Sequence, residues 1–269
     1  MMRNDFTNKA VLITGGTKGI GLATGLAFGR HGAHVYLTNK WGSADENRVR
    51  EEFAGVGAPE PVIVEADVGV DEDTVKVLEA IKKDHDGIEV FLSNVCVVQM
   101  TKGIDSLSRR ALLKSLELSS WPLVAYIQKM KEIFGRYPRY VIGSSSDGVD
   151  NFYPGYDFVA AAKMVMETFC RYLAKRLAKE GVCVNMVRTR NVITDSALDI
   201  YGAEYPEFFR KYSGGEKHFI AAEDVANTIL AMCSGMLDAL SGQIISVDKG
   251  NPFVDNLMRL YTHREEYGL

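Results

Sequence analysis

Short apolar runs alternate with longer segments of helical periodicity along most of the chain. Apolar residues in the longer segments recur at spacings of three and four, which predicts amphipathic helices. The runs that predict strands are residues 9–13, 34–38, 62–65, 88–92, 140–143, 182–187 and 242–248. Helices are predicted over residues 22–30, 45–54, 72–83, 106–114, 118–134, 156–179 and 223–233. Strands that alternate with helices are typical of a parallel sheet covered on both faces, so the pattern predicts an α/β fold.

A glycine-rich turn joins the first predicted strand to the first predicted helix. It is Thr14-Gly15-Gly16-Thr17-Lys18-Gly19-Ile20-Gly21. Gly15 permits a tight turn, Gly19 lets the backbone approach a pyrophosphate, and Gly21 allows the helix to pack closely on the strand. The N-terminus of the helix then faces the anion. We therefore predict that this turn binds a dinucleotide.

The second predicted strand leads into Asn39 and Lys40, without an acidic residue. Enzymes that bind NAD usually have an acid here for the ribose 2′-hydroxyl. Lys40 and Lys18 can instead pair with a 2′-phosphate. Two solvated lysines are the competing interpretation, and the missing acid favours NADPH.

A serine cluster, a phenol and an ammonium group follow the fifth predicted strand. Tyr156 and Lys163 are seven residues apart, which is about two helical turns, so they share a face. Pro154-Gly155 predicts a helix that begins near Tyr156. The ammonium group and the helix N-terminus would both lower the pKa of this phenol, which makes it a usable proton donor to a carbonyl or enolate oxygen. Ser146 would polarise the carbonyl.

These motifs resemble the short-chain dehydrogenase/reductase family, whose Thr-Gly-x3-Gly-Ile-Gly fingerprint is matched at every fixed position. Ser146 precedes Lys163 by 17 residues, as in that family. The Tyr-x6-Lys spacing is similar to the divergent enoyl-acyl-carrier-protein reductase branch. The resemblance covers residues 9–250. It implies a Rossmann-type doubly wound sheet of seven parallel strands in the order 3-2-1-4-5-6-7, as a single domain over residues 1–269.

The resemblance also implies roles for residues outside the main motifs. Asn94 would contact the cofactor, Thr194 would bind the nicotinamide carboxamide, and Lys163 would bind the nicotinamide ribose. Asp67 and Val68 would touch the adenine, with a turn-capping Asp67 as the alternative. Similar proteins form homodimers or homotetramers through the helices that correspond to 118–134 and 156–179.

Several positions depart from the family pattern. Val159 stands where the catalytic tyrosine is usual, which leaves Tyr156 as the proton donor and Tyr153 as a reserve phenol. Glu117 replaces a catalytic asparagine, and a solvated carboxylate is the other interpretation. Arg188 and Arg190 would either reach an anionic substrate group or be solvated. A packed Tyr156 in a protein without turnover remains an alternative.

Charge and composition exclude several classes of function. The 269 residues carry a formal net charge of −4 with both signs interspersed, so neither nucleic acid nor a membrane is a predicted partner. No apolar run approaches the ~18 residues of a transmembrane helix, and no signal peptide precedes the first strand, so we expect a cytoplasmic protein. The cysteines have neither metal-ligand nor disulfide spacing, which predicts buried small hydrophobic residues and no metal. They are Cys96, Cys170, Cys183 and Cys233.

Two segments near the C-terminus have predicted roles. Residues 195–219, rich in Tyr, Phe, Glu and Lys, predict a substrate lid with Gly214-Gly215 as a hinge. The spacing of Phe253, Leu257 and Leu260 predicts a short helix in a C-terminal extension, 251–269, that lies against a neighbouring subunit.

The sequence therefore predicts an NADPH-dependent oxidoreductase that transfers hydride to an α,β-unsaturated acyl thioester. The substrate would be a small molecule or an acyl group bound to a carrier. Two alternatives stay open. One is a ketoreductase of a polyketide or other secondary-metabolite carbonyl, and the other is a non-catalytic NADP(H)-binding protein.

Overall fold

The computed structural model describes residues 5–42, 44–212 and 219–269. These residues form a parallel sheet of seven strands in the order β3-β2-β1-β4-β5-β6-β7. The strands are β1 Ala10–Ile13, β2 His34–Asn39, β3 Val62–Glu65, β4 Val90–Ser93, β5 Tyr140–Ser146, β6 Cys183–Thr189 and β7 Ile244–Val247. The helices are α1 Gly19–Gly29, α2 Glu46–Gly55, α3 Asp71–Lys82, α4 Arg109–Ser119, α5 Trp121–Phe134, α6 Asp157–Leu177, α7 Asp195–Tyr201, α8 Tyr205–Tyr212, α9 Ala222–Met232, α10 Asn256–Thr262 and α11 Arg264–Tyr267. The predicted fold class and strand order are confirmed.

Helices cover both faces of the sheet, each over its own hydrophobic core. On one face α1, α2 and α9 bury residues such as Phe28 and Ile229. On the other face α3, α5 and α6 bury residues such as Leu78 and Met166. All four of these side chains are 0% exposed. Strands enclosed on both sides need apolar residues throughout, which is why they are short continuous apolar runs in the sequence.

The order of the strands creates a crevice between β1 and β4. These two strands are neighbours, although β2 and β3 lie between them in the chain. The connections after β1 and β4 therefore leave toward opposite sides, and open α/β sheets bind ligands at such a point, beyond the carboxyl ends of the strands. The glycine turn follows β1, and Asn94 follows β4.

Several predicted boundaries differ from those of the structure, and two of the differences have a plain reason. The fifth strand continues beyond residue 143, because Ser144, Ser145 and Ser146 pair with β6. The helix predicted over 118–134 is divided, since Pro122 in the first turn of α5 has no N–H to continue a helix from α4.

The lid and the C-terminal extension lie against each other. The lid contains α7 and α8, while the predicted hinge Gly214-Gly215 falls outside the described residues. The predicted short C-terminal helix is α10. Its Arg259 donates a hydrogen bond to the carbonyl of Tyr212, the last residue of α8, and Tyr267 of α11 packs on the Tyr212 ring at 5.7 Å. The extension therefore braces the lid of its own chain.

Candidate active site

Side chains from two neighbouring strands hold the glycine turn in place. Thr38 of β2 accepts a hydrogen bond from the Gly15 N–H at 3.2 Å, and Asn94 donates one to the Gly15 carbonyl at 3.1 Å. Gly19 has a positive φ of 55°. A Cβ on Gly21 would lie 2.3 Å from the Gly15 carbonyl oxygen, so only glycine fits there. Thr38 was not predicted, because a threonine in a strand gives no sign of its partner.

A cavity of about 770 Å³ extends from this turn to the lid helices α7 and α8. The predicted site residues that line it are Gly15, Thr17, Lys18, Gly19, Ile20, Asn39, Lys40, Asn94, Ser146, Tyr156, Lys163 and Thr194. Asp67 and Val68 line a smaller cavity of about 70 Å³ that shares Gly15, Asn39 and Lys40 with the large one. Gly21 packs behind the turn. The structure therefore gathers the predicted residues in one region.

Lys40 and Asp67 form an ion pair at 2.5 Å beside the smaller cavity. Asp67 also accepts a hydrogen bond from the Gly69 N–H at 3.0 Å, so it caps the turn after β3 as the alternative interpretation expected. Burial raises the pKa of Asp67, but the hydrogen bonds from Lys40 and Gly69 outweigh it, and the pKa lies below its usual value. Lys40 thus has a carboxylate partner already, whereas the Lys18 side chain is exposed at the cavity.

Asn39 indicates that the region suits a polar ligand. Its side chain is 6% exposed, and its Oδ1 has no hydrogen-bond partner among the described residues. A buried acceptor without a partner is costly, and the Asn39 amide lies where β2 meets both cavities. A ribose or adenine group would satisfy it. The residues present therefore fit the adenosine half of a dinucleotide.

Thr194 lies opposite the glycine turn at the start of α7. Its hydroxyl accepts a hydrogen bond from the Ala197 N–H at 3.2 Å and caps the helix. A Cβ on Gly19 would lie 3.2 Å from its methyl carbon. The segment that begins the lid therefore closes directly over the turn.

Tyr156, Ser146 and Lys163 all line the large cavity. Lys163 is 3% exposed and donates to the carbonyl of Ser144 at 2.6 Å. Ser146 accepts a hydrogen bond from the Gly148 N–H at 3.2 Å, and its hydroxyl lies near the phenol of Tyr156. A serine hydroxyl can donate or accept, so Tyr156 can direct its proton to a ligand while Ser146 donates to it.

The predicted lowering of the Tyr156 pKa is wrong for the protein without ligand. Burial raises this pKa, and the hydrogen bond from Ser146 only partly opposes it. The phenolate would be poorly solvated in this wall, so the neutral form is favoured. Tyr156 is the N-cap residue of α6, as the predicted helix start requires, yet burial has the larger effect.

Two of the departures from the family pattern have plain structural roles. Val159 is 0% exposed and belongs to the buried face of α6. Glu117 is exposed and pairs with Lys114 at 3.2 Å, which agrees with the solvated interpretation. Cys170, Cys183 and Cys233 are buried as predicted, but the prediction fails for Cys96, which is half-buried and lines the cavity. Its place after β4 directs it toward the crevice.

Both arginines near the end of β6 have carboxylate partners. Arg188 binds both oxygens of Glu167, at 3.0 and 2.6 Å, and also pairs with Asp150. Arg190 pairs with Asp147 at 2.6 Å. The pairs with Asp150 and Asp147 join the end of β6 to the turn after β5. Both predicted alternatives for these arginines, binding an anionic substrate group and being solvated, are therefore wrong.

Asp147 and the lid aromatics are residues of this site that sequence analysis missed. Asp147 is 6% exposed, lines the cavity, and accepts a hydrogen bond from the reserve phenol Tyr153 at 2.7 Å. Its position directly after the serine cluster was the available signal. The lid side chains that line the cavity include Tyr201, Tyr205, Phe208 and Phe209.

A sequence model of the enoyl-(acyl carrier protein) reductase family matches residues 15–251. The chain belongs to this family. It is an oxidoreductase of the short-chain dehydrogenase/reductase type, a family that binds a nicotinamide cofactor. The family match covers the glycine turn, the Tyr156–Lys163 pair and the lid.

Known relatives cover nearly the whole chain at low identity. The chain is 27% identical over 267 residues to "Enoyl-[acyl-carrier-protein] reductase [NADH] FabI" of Aquifex aeolicus, which covers 96% of this chain and 95% of the relative. It is 23% identical over 254 residues to "Short-chain dehydrogenase/reductase GME11373" of Pestalotiopsis microspora, with 90% and 95% covered. The solved structure of the Aquifex aeolicus enzyme covers 93% of this chain and 98% of its own, with a TM-score of 0.80 at 24% identity. That likeness confirms the fold.

Two further findings concern the described residues alone. No helix among them has the length and apolarity needed to cross a membrane. Within the same ranges, no group of His, Cys, Asp and Glu side chains is arranged to hold a metal ion.

Proposed function

We propose that the protein is an NADPH-dependent reductase of α,β-unsaturated acyl thioesters. The observation that carries this proposal is the arrangement of Tyr156, Ser146 and Lys163 along the wall of the cavity that begins at the glycine turn. A bound nicotinamide cofactor supplies the hydride. The remaining chemistry belongs to side chains of this protein.

Tyr156 would donate a hydrogen bond to the thioester carbonyl. When the β-carbon gains hydride, negative charge moves to that oxygen, and a donor already in position stabilises the enolate. The enolate then takes a proton from water at the α-carbon, which completes the saturated thioester. Lys163, anchored by the Ser144 carbonyl, keeps further N–H groups to hold the nicotinamide ribose. The buried neutral phenol suits a donor better than a base.

The Tyr-x6-Lys arrangement favours an enoyl substrate. Tyr156 lies before the first turn of α6, while the usual tyrosine position, Val159, is buried in the core. Three residues of helical rise, about 4.5 Å, displace the donor along the helix. This displacement suits a carbonyl remote from the carbon that receives hydride. The family description and the name of the Aquifex aeolicus relative agree with this choice.

Ketone reduction is the second candidate, because Ser146 is retained and hydrogen-bonds to Tyr156. In that reaction Tyr156 would protonate the alkoxide directly. Assays with the full chain, NADPH and a matched panel of enoyl thioesters and ketones distinguish the candidates. We expect oxidation of NADPH with enoyl thioesters. Binding of NADPH without oxidation across the panel would contradict both reactions and favour a non-catalytic NADP(H)-binding protein.

Lys18 and the absence of an acid after β2 support NADPH over NADH. Lys18 is exposed at the cavity. Lys40 also lines the cavity, although its ion pair with Asp67 offsets the charge of Lys40. The relative from Aquifex aeolicus is named for NADH, so cofactor choice needs its own test. A charge-assisted phosphate contact contributes about 1.5–3 kcal/mol at best. Lys18→Ala should therefore weaken NADPH binding and leave NADH binding nearly unchanged, and Lys40→Asp should weaken NADPH binding most.

Binding titrations with both cofactors provide the measurement. Lys9→Ala is the matched control, because Lys9 is an exposed lysine that pairs with Glu89 just before β1, at the other end of that strand from the cavity. It should change neither affinity. Equal affinity of the native protein for NADH and NADPH would contradict the cofactor proposal. Lys163→Ala should lower cofactor affinity and turnover together.

A further inference from the structure

Two phenols at the lid end of the cavity donate their hydroxyl protons to hydrogen bonds with other residues of the protein. Tyr153 donates to Oδ2 of Asp147 at 2.7 Å, and Tyr205 donates to Oδ1 of Asn191 at 3.3 Å. Both phenols line the cavity. A phenol has a single proton, so each oxygen can only accept a hydrogen bond from a ligand. Tyr156 differs, because no carboxylate or amide oxygen among the described residues accepts its proton, and the nearby Ser146 hydroxyl can donate to it.

Asp147 adds a buried carboxylate to the same end of the cavity. It lines the cavity and is held by Arg190 at 2.6 Å and by Asn151 at 3.3 Å. Burial raises the pKa of Tyr153 and Tyr205, Asp147 adds to this rise, and Arg190 opposes it. Because Arg190 is engaged by Asp147, it is not free to bind a ligand carboxylate or phosphate. A neutral hydrogen-bond donor is the group that fits.

Aromatic rings surround these acceptors. Tyr201 stacks on Tyr205 with ring centroids 4.8 Å apart and an angle of 22° between the planes. The Phe209 ring lies 4.7 Å from that of Tyr205, and Phe208 also faces the cavity. Rings held this way favour offset or edge-to-face contact with another ring. A flexible alkyl chain gains less from them and leaves the acceptors without partners.

We propose that the acyl substrate carries an aromatic ring with a neutral hydroxyl group, which donates a hydrogen bond to Tyr153 or Tyr205. This inference rests on the proposed reduction of an enoyl thioester and adds the chemical class of its acyl group. The phenols then make hydrogen bonds of opposite direction with the substrate. Tyr156 donates a hydrogen bond to the thioester carbonyl, while Tyr153 or Tyr205 accepts one from the ring hydroxyl.

The test measures binding and turnover separately, with the full chain and NADP(H). The probes are N-acetylcysteamine thioesters of ortho-, meta- and para-hydroxycinnamic acid, their methoxy analogues, cinnamic acid and crotonic acid. Calorimetry with the corresponding saturated thioesters, which contain no reducible C=C bond, gives dissociation constants independent of turnover. We expect one hydroxyl position to bind about five- to tenfold tighter than its methoxy analogue, the range of a single net hydrogen bond. Crotonyl thioester should be the poorest substrate.

Variants assign the acceptor. Tyr153→Phe and Tyr205→Phe each remove one oxygen and keep the ring, and at least one should bring the hydroxyl and methoxy probes to within about twofold of each other. Tyr172→Phe, an exposed tyrosine on α6, is the control and should retain the full difference. Equal binding of hydroxyl and methoxy probes at all three positions in the native protein would overturn the inference, as would a preference that survives both variants. Hydroxyl preference in calorimetry without NADPH oxidation would support this inference while contradicting the proposed reaction.

Discussion

Tyr153 and Tyr156 are close neighbours with different hydrogen bonds. Their rings meet edge to face with centroids 5.8 Å apart. Tyr153 donates to Asp147, whereas Tyr156 lies near Ser146, whose hydroxyl can donate to it. A phenol whose proton is engaged by a carboxylate is a poorer donor to a ligand. The tertiary contacts of each phenol therefore separate two tyrosines that sequence analysis ranked by spacing alone.

Tyr156→Phe tests the proposed proton donor. The ring keeps its packing and only the hydroxyl is lost, so NADPH affinity should hold while turnover falls by ~10²–10³. Steady-state kinetics with an enoyl thioester that the native protein reduces measure turnover, and a cofactor titration measures NADPH affinity. Tyr172→Phe should behave like the native protein, because its side chain is 64% exposed. Full activity of Tyr156→Phe together with inactive Tyr153→Phe would show that the donor is assigned to the wrong phenol.

The ionisation of Tyr156 gives a test that needs no substrate. Burial raises its pKa, so its phenolate should form only above the ordinary tyrosine value of about 10. The difference in absorbance near 295 nm between the native protein and Tyr156→Phe, followed against pH, reports this group. A component that titrates below about pH 9 in the ligand-free protein would mean that Lys163 outweighs burial after all.

At the scale of elements, a buried ion pair joins α6 to the end of β6. Glu167 lies one turn after Lys163, is 0% exposed, and accepts hydrogen bonds from Arg188 and from Ser145. Ser145 lies between the partner of Lys163 and Ser146 on β5. Glu167 therefore joins the helix that carries Lys163 to β6 through Arg188, and to β5, the strand that carries Ser146, through Ser145. A charge in such a position needs its partner, since removing one member leaves the other unpaired in the core.

Arg188→Met should destabilise the fold by about 3 kcal/mol or more, because it leaves the Glu167 carboxylate buried and unpaired. Urea unfolding measures this change. The double variant Glu167→Met with Arg188→Met should recover most of the loss, since it removes both charges together. Lys114→Ala breaks the exposed pair with Glu117 and should cost no more than about 1 kcal/mol. If the single and double variants are equally unstable, the loss comes from packing rather than from the unpaired charge.

At the scale of the whole molecule, the outer surfaces of α5 and α6 keep apolar side chains exposed. Trp121 is 46% exposed, Met164 40% and Val165 36%. Exposed large apolar side chains on neighbouring helices are typical of an interface. We propose that two of these surfaces pair in a homodimer, or in a homotetramer built from such dimers.

Light scattering at micromolar concentration tests this assembly. Met164→Glu introduces a charge into the proposed interface and should shift the protein toward monomers, because a desolvated charge without a partner opposes association. Val70→Glu is the matched control: Val70 is 39% exposed, against 40% for Met164, and lies before α3 on a different part of the surface. A native protein that is monomeric, or an equal effect of both variants, would contradict the proposed interface.

Much of the fold could be predicted from local pattern. The strands are apolar runs because both faces of a parallel sheet are buried, and the periodicity of the helices follows from one buried side. The glycines of the turn between β1 and α1 are required by backbone geometry, since Gly19 has a positive φ and Gly21 packs on the Gly15 carbonyl. Such constraints act between residues close in the chain. The strand order came from the family resemblance that those glycines supported.

Long-range partners could not be predicted in this way. The ion pair of Lys40 with Asp67 and the pairs of Arg188 and Arg190 with carboxylates depend on which loops the fold brings together. The pKa of Tyr156 is another example, because spacing indicated a nearby ammonium group and only the packed structure determines how strongly burial opposes it. The amino-acid sequence by itself determined the sheet, its helices and the residue types at the cofactor turn, since these follow from backbone geometry and periodicity. The tertiary structure alone decided that the Tyr153 phenol lies against the Asp147–Arg190 pair and which charges are already paired, because both depend on contacts between elements far apart in the chain.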